Sequence, residues 1–325
     1  MKQDKIFSEL AAGNIAVVEG ERSQLDTLAD YISRRQRDIA RGASEPLSRL
    51  TVEVGANSTL RVEPPYEQKH LALLCGESEL GEGEHLLIPY IALKKLITKL
   101  GEKWHVNALG TWLTAGEDVL VPRSQETYTL FRDAIVDAGG KLPGGASVLD
   151  MGCGCGVLGI IAARELAAKG VKVTASDVMP EAIGSTLINT ERLVEEGLLQ
   201  AGVIEVTQPG EMFEGLGDAR YDIIIFNAPW VVAPVKSRSD IALNDEKQQV
   251  LEAFMAQVRG HLTLGGAVIL GYADNSGDKA VARAKELAAN EGFCIMHERS
   301  ARVATHRKKN KWERIFVWEL RQVQG

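Results

Sequence analysis

The sequence predicts an α/β fold: a doubly wound, mostly parallel sheet of seven strands, preceded by a smaller α+β N-terminal domain. Three observations carry this reading. From residue 111 onward, short apolar runs alternate with stretches of helical apolar spacing, the pattern of successive βα units. The run over 221–226 is almost wholly apolar, as a strand buried on both faces must be. At 147–159 an apolar strand enters a helix through a loop with glycine at every second position, Gly152, Gly154 and Gly156.

Taken in order, residues 21–41 predict an amphipathic helix with Leu25, Leu28 and Ile32 on one face. Residues 51–62 alternate as strands do, with Val52 and Val54, then Leu60 and Val62, around a turn at 55–58; Pro64 and Pro65 end the piece. A helix is expected over 89–100, proline being tolerated in a first turn. The Gly/Glu-rich stretch 76–82 predicts a solvated loop. Residues 1–110 carry no recognisable chemical constellation and are expected to form a substrate-recognition or cap domain, with the catalytic domain at 111–325. That second part opens with a predicted strand pair over 111–121, closed by Ala115-Gly116, then Pro122, Arg123 and a helix capped by Ser124. Strands follow at 148–150, 171–176, 203–206, 221–226 and 267–272. Helices are expected at 157–168 (stopped by Gly170), after Pro180, at 246–263 and at 278–290. Two last strands, 293–297 and 315–320, predict an antiparallel hairpin closing the sheet edge.

Composition narrows the class. The formal charge of −7 disfavours a surface devoted to nucleic acid, although the run Arg307-Lys308-Lys309-Asn310-Lys311 is a local exception. No apolar run approaches the roughly 18 residues of a membrane span. The N-terminus does not read as a signal peptide, so a cytoplasmic address is expected. Cys75, Cys153, Cys155 and Cys294 do not suggest a disulfide framework or a zinc site. His261, His297 and His306 lack metal-ligand spacing, and no metal is expected.

The glycine loop carries the chemistry. Gly154, Gly156 and Gly159 satisfy G-x-G-x-x-G, which alone is a weak dinucleotide signal. That fingerprint wraps a pyrophosphate, which a carboxylate just upstream would repel. Asp150 occupies that position, and it suits a cationic ligand. S-adenosylmethionine carries an ammonium and a sulfonium, so Asp150 with Gly152, Gly154 and Gly156 favours it over NAD. The stretch resembles the first motif of the Rossmann-like S-adenosylmethionine-dependent methyltransferases. Asp177 ends the second strand 27 positions after Asp150, where a carboxylate accepts from a ribose diol. NAD shares that ribose, so Asp177 supports a nucleoside cofactor without choosing between the two.

The fourth strand runs into Asn227-Ala228-Pro229-Trp230. This tetrapeptide resembles the Asn-Pro-Pro-Tyr/Phe/Trp motif of the amino-methyltransferases, among them the release-factor glutamine methyltransferases and the adenine and guanine N-methyltransferases. The resemblance implies that Asn227 and the carbonyl of Ala228 accept from the acceptor NH₂ while Trp230 stacks on its plane, with Pro229 and Arg123 also touching substrate. Two acceptors pulling on the amine hydrogens favour pyramidal geometry and aim the lone pair at the methyl group. Ala228 departs from the family's proline, which removes one rigidifying ring. Residues 120–127 resemble the Pro-Arg-x-x-Thr-Glu segment of the glutamine methyltransferases. Residues 210–213 resemble their Gly-Asp-x-Phe turn, with Glu211 for the aspartate. By resemblance Val178, Glu211 and Asn227 also contact the cofactor. The likeness covers roughly 112–320 and leaves residues 1–110 without a counterpart.

The expected reaction is methyl transfer to a planar nitrogen of a small molecule or peptide, without metal or covalent intermediate. A nucleobase N-methyltransferase, an O-, S- or C-methyltransferase of small-molecule biosynthesis, a dehydrogenase and a cofactor-binding partner subunit remain the rival readings.

Overall fold

The computed structural model describes residues 3–18, 22–36, 46–55, 73, 85–121, 123–304 and 312–323. The chain forms two compact units, Met1–Glu102 and Lys103–Gly325. The first contains α1 (Gln3–Ala11), β1 (Ala16–Val17), α2 (Arg22–Gln36), β2 (Leu50–Gly55), β3 (His85–Pro89) and α3 (Tyr90–Gly101). β2 is the middle strand, parallel to β1 and antiparallel to β3. The predicted stripe Leu25, Leu28 and Ile32 is buried on α2, as are Leu93, Leu96, Ile97 and Leu100 on α3. α1, β1 and β3 were not predicted: β1 and β3 are too short to establish a period, and α1 buries only Ile6, Phe7 and Leu10. Leu60, Val62, the Pro64-Pro65 stop, the 76–82 loop and Cys75 lie outside the described residues.

The second unit begins with a small antiparallel pair, β4 (Trp104–Val106) and β5 (Thr111–Leu113). This corrects the strand pair expected over 111–121. The partner of β5 lies before it, and residues 114–116 bond instead to side chains of a later helix. α4 (Gln125–Gly140) follows, and the Ser124 side chain accepts from the Thr127 N–H, the predicted cap. Then come β6 (Ser147–Met151), α5 (Val157–Glu165), β7 (Lys172–Ser176), α6 (Pro180–Glu195), β8 (Ile204–Val206) and β9 (Tyr221–Asn227). The unit ends with α7 (Gln249–Val258), β10 (Leu262–Ala273), α8 (Asp278–Asn290), β11 (Phe293–Ala304) and β12 (Trp312–Gln322).

The strands form one seven-stranded sheet in the order β11-β12-β10-β9-β6-β7-β8. From β8 to β10 the neighbours are parallel, whereas β12 runs antiparallel to both β10 and β11. Chain order reverses between β6 and β9. In doubly wound sheets the crevice outside the carboxyl ends at such a reversal is where ligands bind. Met151 pairs with Phe226 there, so the first loop glycine and Asn227 leave adjacent strands side by side. The predicted final hairpin is present, but its strands run further than the apolar runs indicated. Beyond Ala301 and Ile315 they run on past the end of β10, through Arg302, Val303 and Ala304 on one strand and Arg314, Glu313 and Trp312 on the other.

Candidate functional site

The loop after β6 is shaped by backbone conformations that L side chains rarely adopt. Gly152, Gly154 and Gly156 have φ of +65°, +57° and +82°. At Gly156 a Cβ would also lie 2.9 Å from the Thr186 methyl group, so helix α6 packs directly on the loop. The Gly154 N–H donates to Asp177 Oδ2 at 3.0 Å, and the Met179 N–H donates to Oδ1 at 2.9 Å. Asp177 therefore does more than end β7, because it fastens the glycine loop to the start of α6. Burial raises its carboxyl above the usual range, these backbone donors pull it back, and the Glu181 charge raises it again.

Asp150 is fully buried behind the loop. Its Oδ2 accepts from the Gly159 N–H at 2.7 Å, in the first turns of α5. A Cβ at Gly159 would stand 3.0 Å from that oxygen, so glycine permits the approach. Oδ1 has no partner among the described residues. Burial pushes the Asp150 carboxyl up to about 7; the Gly159 N–H opposes the shift and the Asp177 charge adds to it. Cys153 and Cys155 are also buried, and burial pushes the Cys155 thiol up to about 12, so it is a neutral apolar wall.

A cavity of about 390 Å³ opens over the loop, within the size range of small-molecule sites. Gly152, Gly154, Asp177, Val178, Glu211, Asn227 and Pro229 line it, all of them predicted. Asp150, Gly156, Ala228, Trp230 and Arg123 do not. Asp150 and Gly156 stand behind the wall, and Ala228 is buried in the core around β9 and β10. Arg123 is exposed away from the cavity. The Trp230 ring turns from the cavity and packs against Val303, Ile315 and Ala273, at the base of the β11–β12 hairpin. Its Nε1 is buried with no partner among the described residues.

Asn227 ends β9 opposite Gly271 of β10. Its Oδ1 is buried and unpartnered among the described residues, 2.7 Å from where a Gly271 Cβ would stand. Such a Cβ would also lie 2.5 Å from Phe131, so Gly271 is the gap that Asn227 and Phe131 fill. Amide oxygen and nitrogen are nearly isosteric, and a half-turn of the side chain presents either one to the cavity.

Several positioning residues escaped the sequence reading. Asn189 of α6 accepts from the Thr114 N–H and donates to the carbonyls of Thr114 and Cys155, at 2.8–3.0 Å. Ser185 accepts from the Gly116 N–H. The signal was a buried helix face carrying Ser185, Thr186 and Asn189. Past Pro229 the chain doubles back, with Val231 bridged to Asn244, and brings Ile241 and Ala242 to the cavity. Arg238 holds this strap by donating to both oxygens of buried Glu181 at 2.6 Å.

A glycine loop at the switch point, a carboxylate behind it and an asparagine at the end of the neighbouring strand stand on a seven-stranded, mostly parallel sheet similar to that of the class I, Rossmann-like methyltransferases. Residues 140–297 match the family model of the methyltransferase small domain. The chain is 32% identical over 113 residues to a release factor glutamine methyltransferase of Geobacter sulfurreducens (strain ATCC 51573 / DSM 12127 / PCA). That stretch is 35% of this chain and 34% of the relative, so the match spans about a third of that protein's length. A ribosomal protein L11 methylase from Lactobacillus delbrueckii subsp. bulgaricus overlays 65% of this chain and 84% of its own at a TM-score of 0.42 and 17% identity. A precorrin-6y C5,15-methyltransferase from Geobacter metallireducens GS-15 overlays 65% and 93% at 0.43 and 14%. No described helix is long and apolar enough to cross a membrane.

Proposed function

We propose that this protein transfers a methyl group from S-adenosylmethionine to a planar nitrogen. The single observation that carries the reading is the Asn227 amide. It lines the cavity at the end of β9, beside the glycine loop, with an oxygen that no described group satisfies.

The residues present fit the cofactor. A buried carboxylate whose second oxygen is orphaned, as in Asp150, is a poor neighbour for pyrophosphate and a good one for a cation. Gly152 and Gly154 let backbone approach the ligand without intervening side chains. Asp177 keeps lone pairs for a ribose diol although each of its oxygens already accepts one N–H. Val178 and Glu211 complete that side of the cavity. When bound, S-adenosylmethionine supplies an electrophilic methyl group.

The chain's own residues contribute position and electrostatics. Asn227 accepts from the acceptor N–H, holding the lone pair towards the cavity, with the Ala228 carbonyl as the second acceptor. Pro229 and the strap residues Ile241 and Ala242 exclude water from the opposite side. Trp230 acts from behind, wedging the tetrapeptide against the hairpin base. Residues 1–110, without a counterpart in the family resemblance, are the part left to select the acceptor.

The test is label transfer from methyl-labelled cofactor to amine-bearing metabolites, peptides and oligonucleotides. Asn227→Ala is expected to reduce turnover roughly 10²-fold or more, the scale of one lost transition-state contact, while S-adenosylhomocysteine affinity holds. Full turnover in Asn227→Ala would reduce the tetrapeptide to a turn.

A further inference from the structure

The strap beside the cavity has fixed feet and a tip held by one pair of side chains. At the feet, the Val232 N–H donates to Ser276 Oγ at 2.8 Å, and Asp245 accepts from the Val250 and Leu251 N–H groups at 2.9 and 3.0 Å. Between them the chain bonds mostly to itself. Asp240 Oδ2 accepts from the Lys236 and Ser237 N–H groups, and Asn244 Nδ2 donates to the Pro234 carbonyl, each at 3.0 Å. No residue from 231 to 244 is buried. A lobe that buries so little apolar surface lies at the low-stability end of a fold and opens locally unless a specific contact holds it.

That contact is Arg238. Its guanidinium donates to both oxygens of Glu181 at 2.6 Å, and among the described residues no other hydrogen bond joins 233–242 to a residue outside the strap. Arg238 is half-exposed, whereas the Glu181 side chain is 7% exposed. Glu181 lies in the first turn of α6, and Met179 and Ala182 on either side of it line the cavity. Ile241 and Ala242, in the turn after Arg238, line it from the strap. The pair therefore ties two walls together: the start of α6, which Asp177 fastens to the glycine loop, and the tip of the strap. The Glu181 charge also bears on Asp177, so the arginine offsets a like charge beside that carboxylate. A two-pronged arginine–carboxylate pair fixes geometry as well as attraction.

We propose that Arg238 is a positioning residue for methyl transfer, acting through Glu181 as the latch of the strap. While the pair is closed, Ile241 and Ala242 complete the cavity wall and the cofactor is enclosed; cofactor enters, and spent cofactor leaves, only when the pair opens. This rests on the methyl-transfer reading. Opening of such covers limits turnover in many enzymes. A pair with one partner at the surface suits the task, since water can replace the carboxylate on Arg238 each time the strap lifts.

The experiment measures exchange of radiolabelled S-adenosylmethionine on the full chain. A chase with excess unlabelled S-adenosylhomocysteine gives koff, and mixing at several protein concentrations gives kon. In wild type koff is expected to rise with salt, because ions screen the exposed side of the pair. Arg238→Ala is expected to raise koff roughly tenfold, the scale of a charge-assisted pair open to water on one side, to raise kon as well, and to reduce the salt dependence of koff. Arg238→Lys is expected to fall between the two, since an ammonium lacks the planar fork. Glu181→Gln is expected to raise both rates, and its combination with Arg238→Ala to add nothing further, as for two halves of one contact. Faster koff with unchanged kon in Arg238→Ala, or additive effects of the two substitutions, overturns the latch. So does a lowered melting temperature with wild-type rates, which is what a merely structural pair gives. Binding whose rates are indifferent to Arg238 overturns the latch alone, whereas a wild-type chain that binds neither S-adenosylmethionine nor S-adenosylhomocysteine overturns the methyl-transfer reading and the latch with it.

Discussion

Replacing Asp150 with asparagine isolates the charge behind the glycine loop. The Gly159 N–H keeps an acceptor in the variant, so the hydrogen bond at 2.7 Å survives while the ionisable group is lost. In the folded chain burial holds this carboxyl at about 7, against an ordinary value of 3.8. Below about pH 4 the group is protonated in both folded and unfolded states and contributes no pH dependence. As pH rises the unfolded chain ionises first, and the folded state loses stability until about pH 7, where it ionises too. About three pKa units at 1.36 kcal/mol each make this loss about 4 kcal/mol, an upper bound once local relaxation is allowed. Asp177 shifts in the same direction, so a slope of this sign persists in the variant, and the difference between the two proteins belongs to Asp150. Asp150→Asn is therefore expected to match wild type near pH 4 and to exceed it by up to about 4 kcal/mol at pH 7–8 in urea melts without ligand. S-adenosylhomocysteine, whose ammonium favours the ionised carboxylate, is expected to narrow that gap by binding wild type more tightly. Parallel stability curves from pH 4 to 8 would show that Asp150 is not a strained buried acid.

Gly271→Ala is expected to lower stability by about 1–3 kcal/mol, the scale of overpacking, because its Cβ would meet Phe131 at 2.5 Å and Asn227 at 2.7 Å. It is also expected to lose turnover nearly as far as Asn227→Ala with cofactor affinity held; a variant with unchanged melting temperature and turnover would refute the close packing. Asn189→Ala strips partners from the Thr114 N–H and from the carbonyls of Thr114 and Cys155, and is expected to destabilise the chain by at least about 2 kcal/mol and to weaken S-adenosylhomocysteine binding. A stable Asn189→Ala protein with normal affinity would mean that the loop holds its shape alone.

The parts of the fold legible in sequence were those where local chemistry dictates geometry. Pro180 opens a helix, Ser124 caps one, and the apolar run at 221–226 needs two covered faces; the helix expected over 157–168 ends at Glu165, and Gly170 closes the 3-10 turn that follows it. The glycine loop and Asn227 were legible for the same reason: strand ends place them at the switch point whatever the rest of the chain does. What could not be read was direction. Asp150 and Trp230 stand in motif positions, yet one is sealed behind the loop and the other turned onto Val303 and Ile315. The Asp150 orientation depends on the close approach that Gly159 permits within the same motif, and that of Trp230 on the hairpin base, far away in sequence. Asn189 escaped for a related reason, since its three bonds reach residues 75 and 34 positions away. The strand pair at 111–121 failed because the backbone of 114–116 is satisfied by Ser185 and Asn189 side chains, which no local pattern announces.

Calorimetric titration of the full chain with S-adenosylhomocysteine and, separately, with NAD tests the central claim most directly. Micromolar-scale binding of S-adenosylhomocysteine, weakened by Asp177→Ala, with NAD binding far weaker, is the predicted result. Tight NAD binding with none to S-adenosylhomocysteine would contradict it.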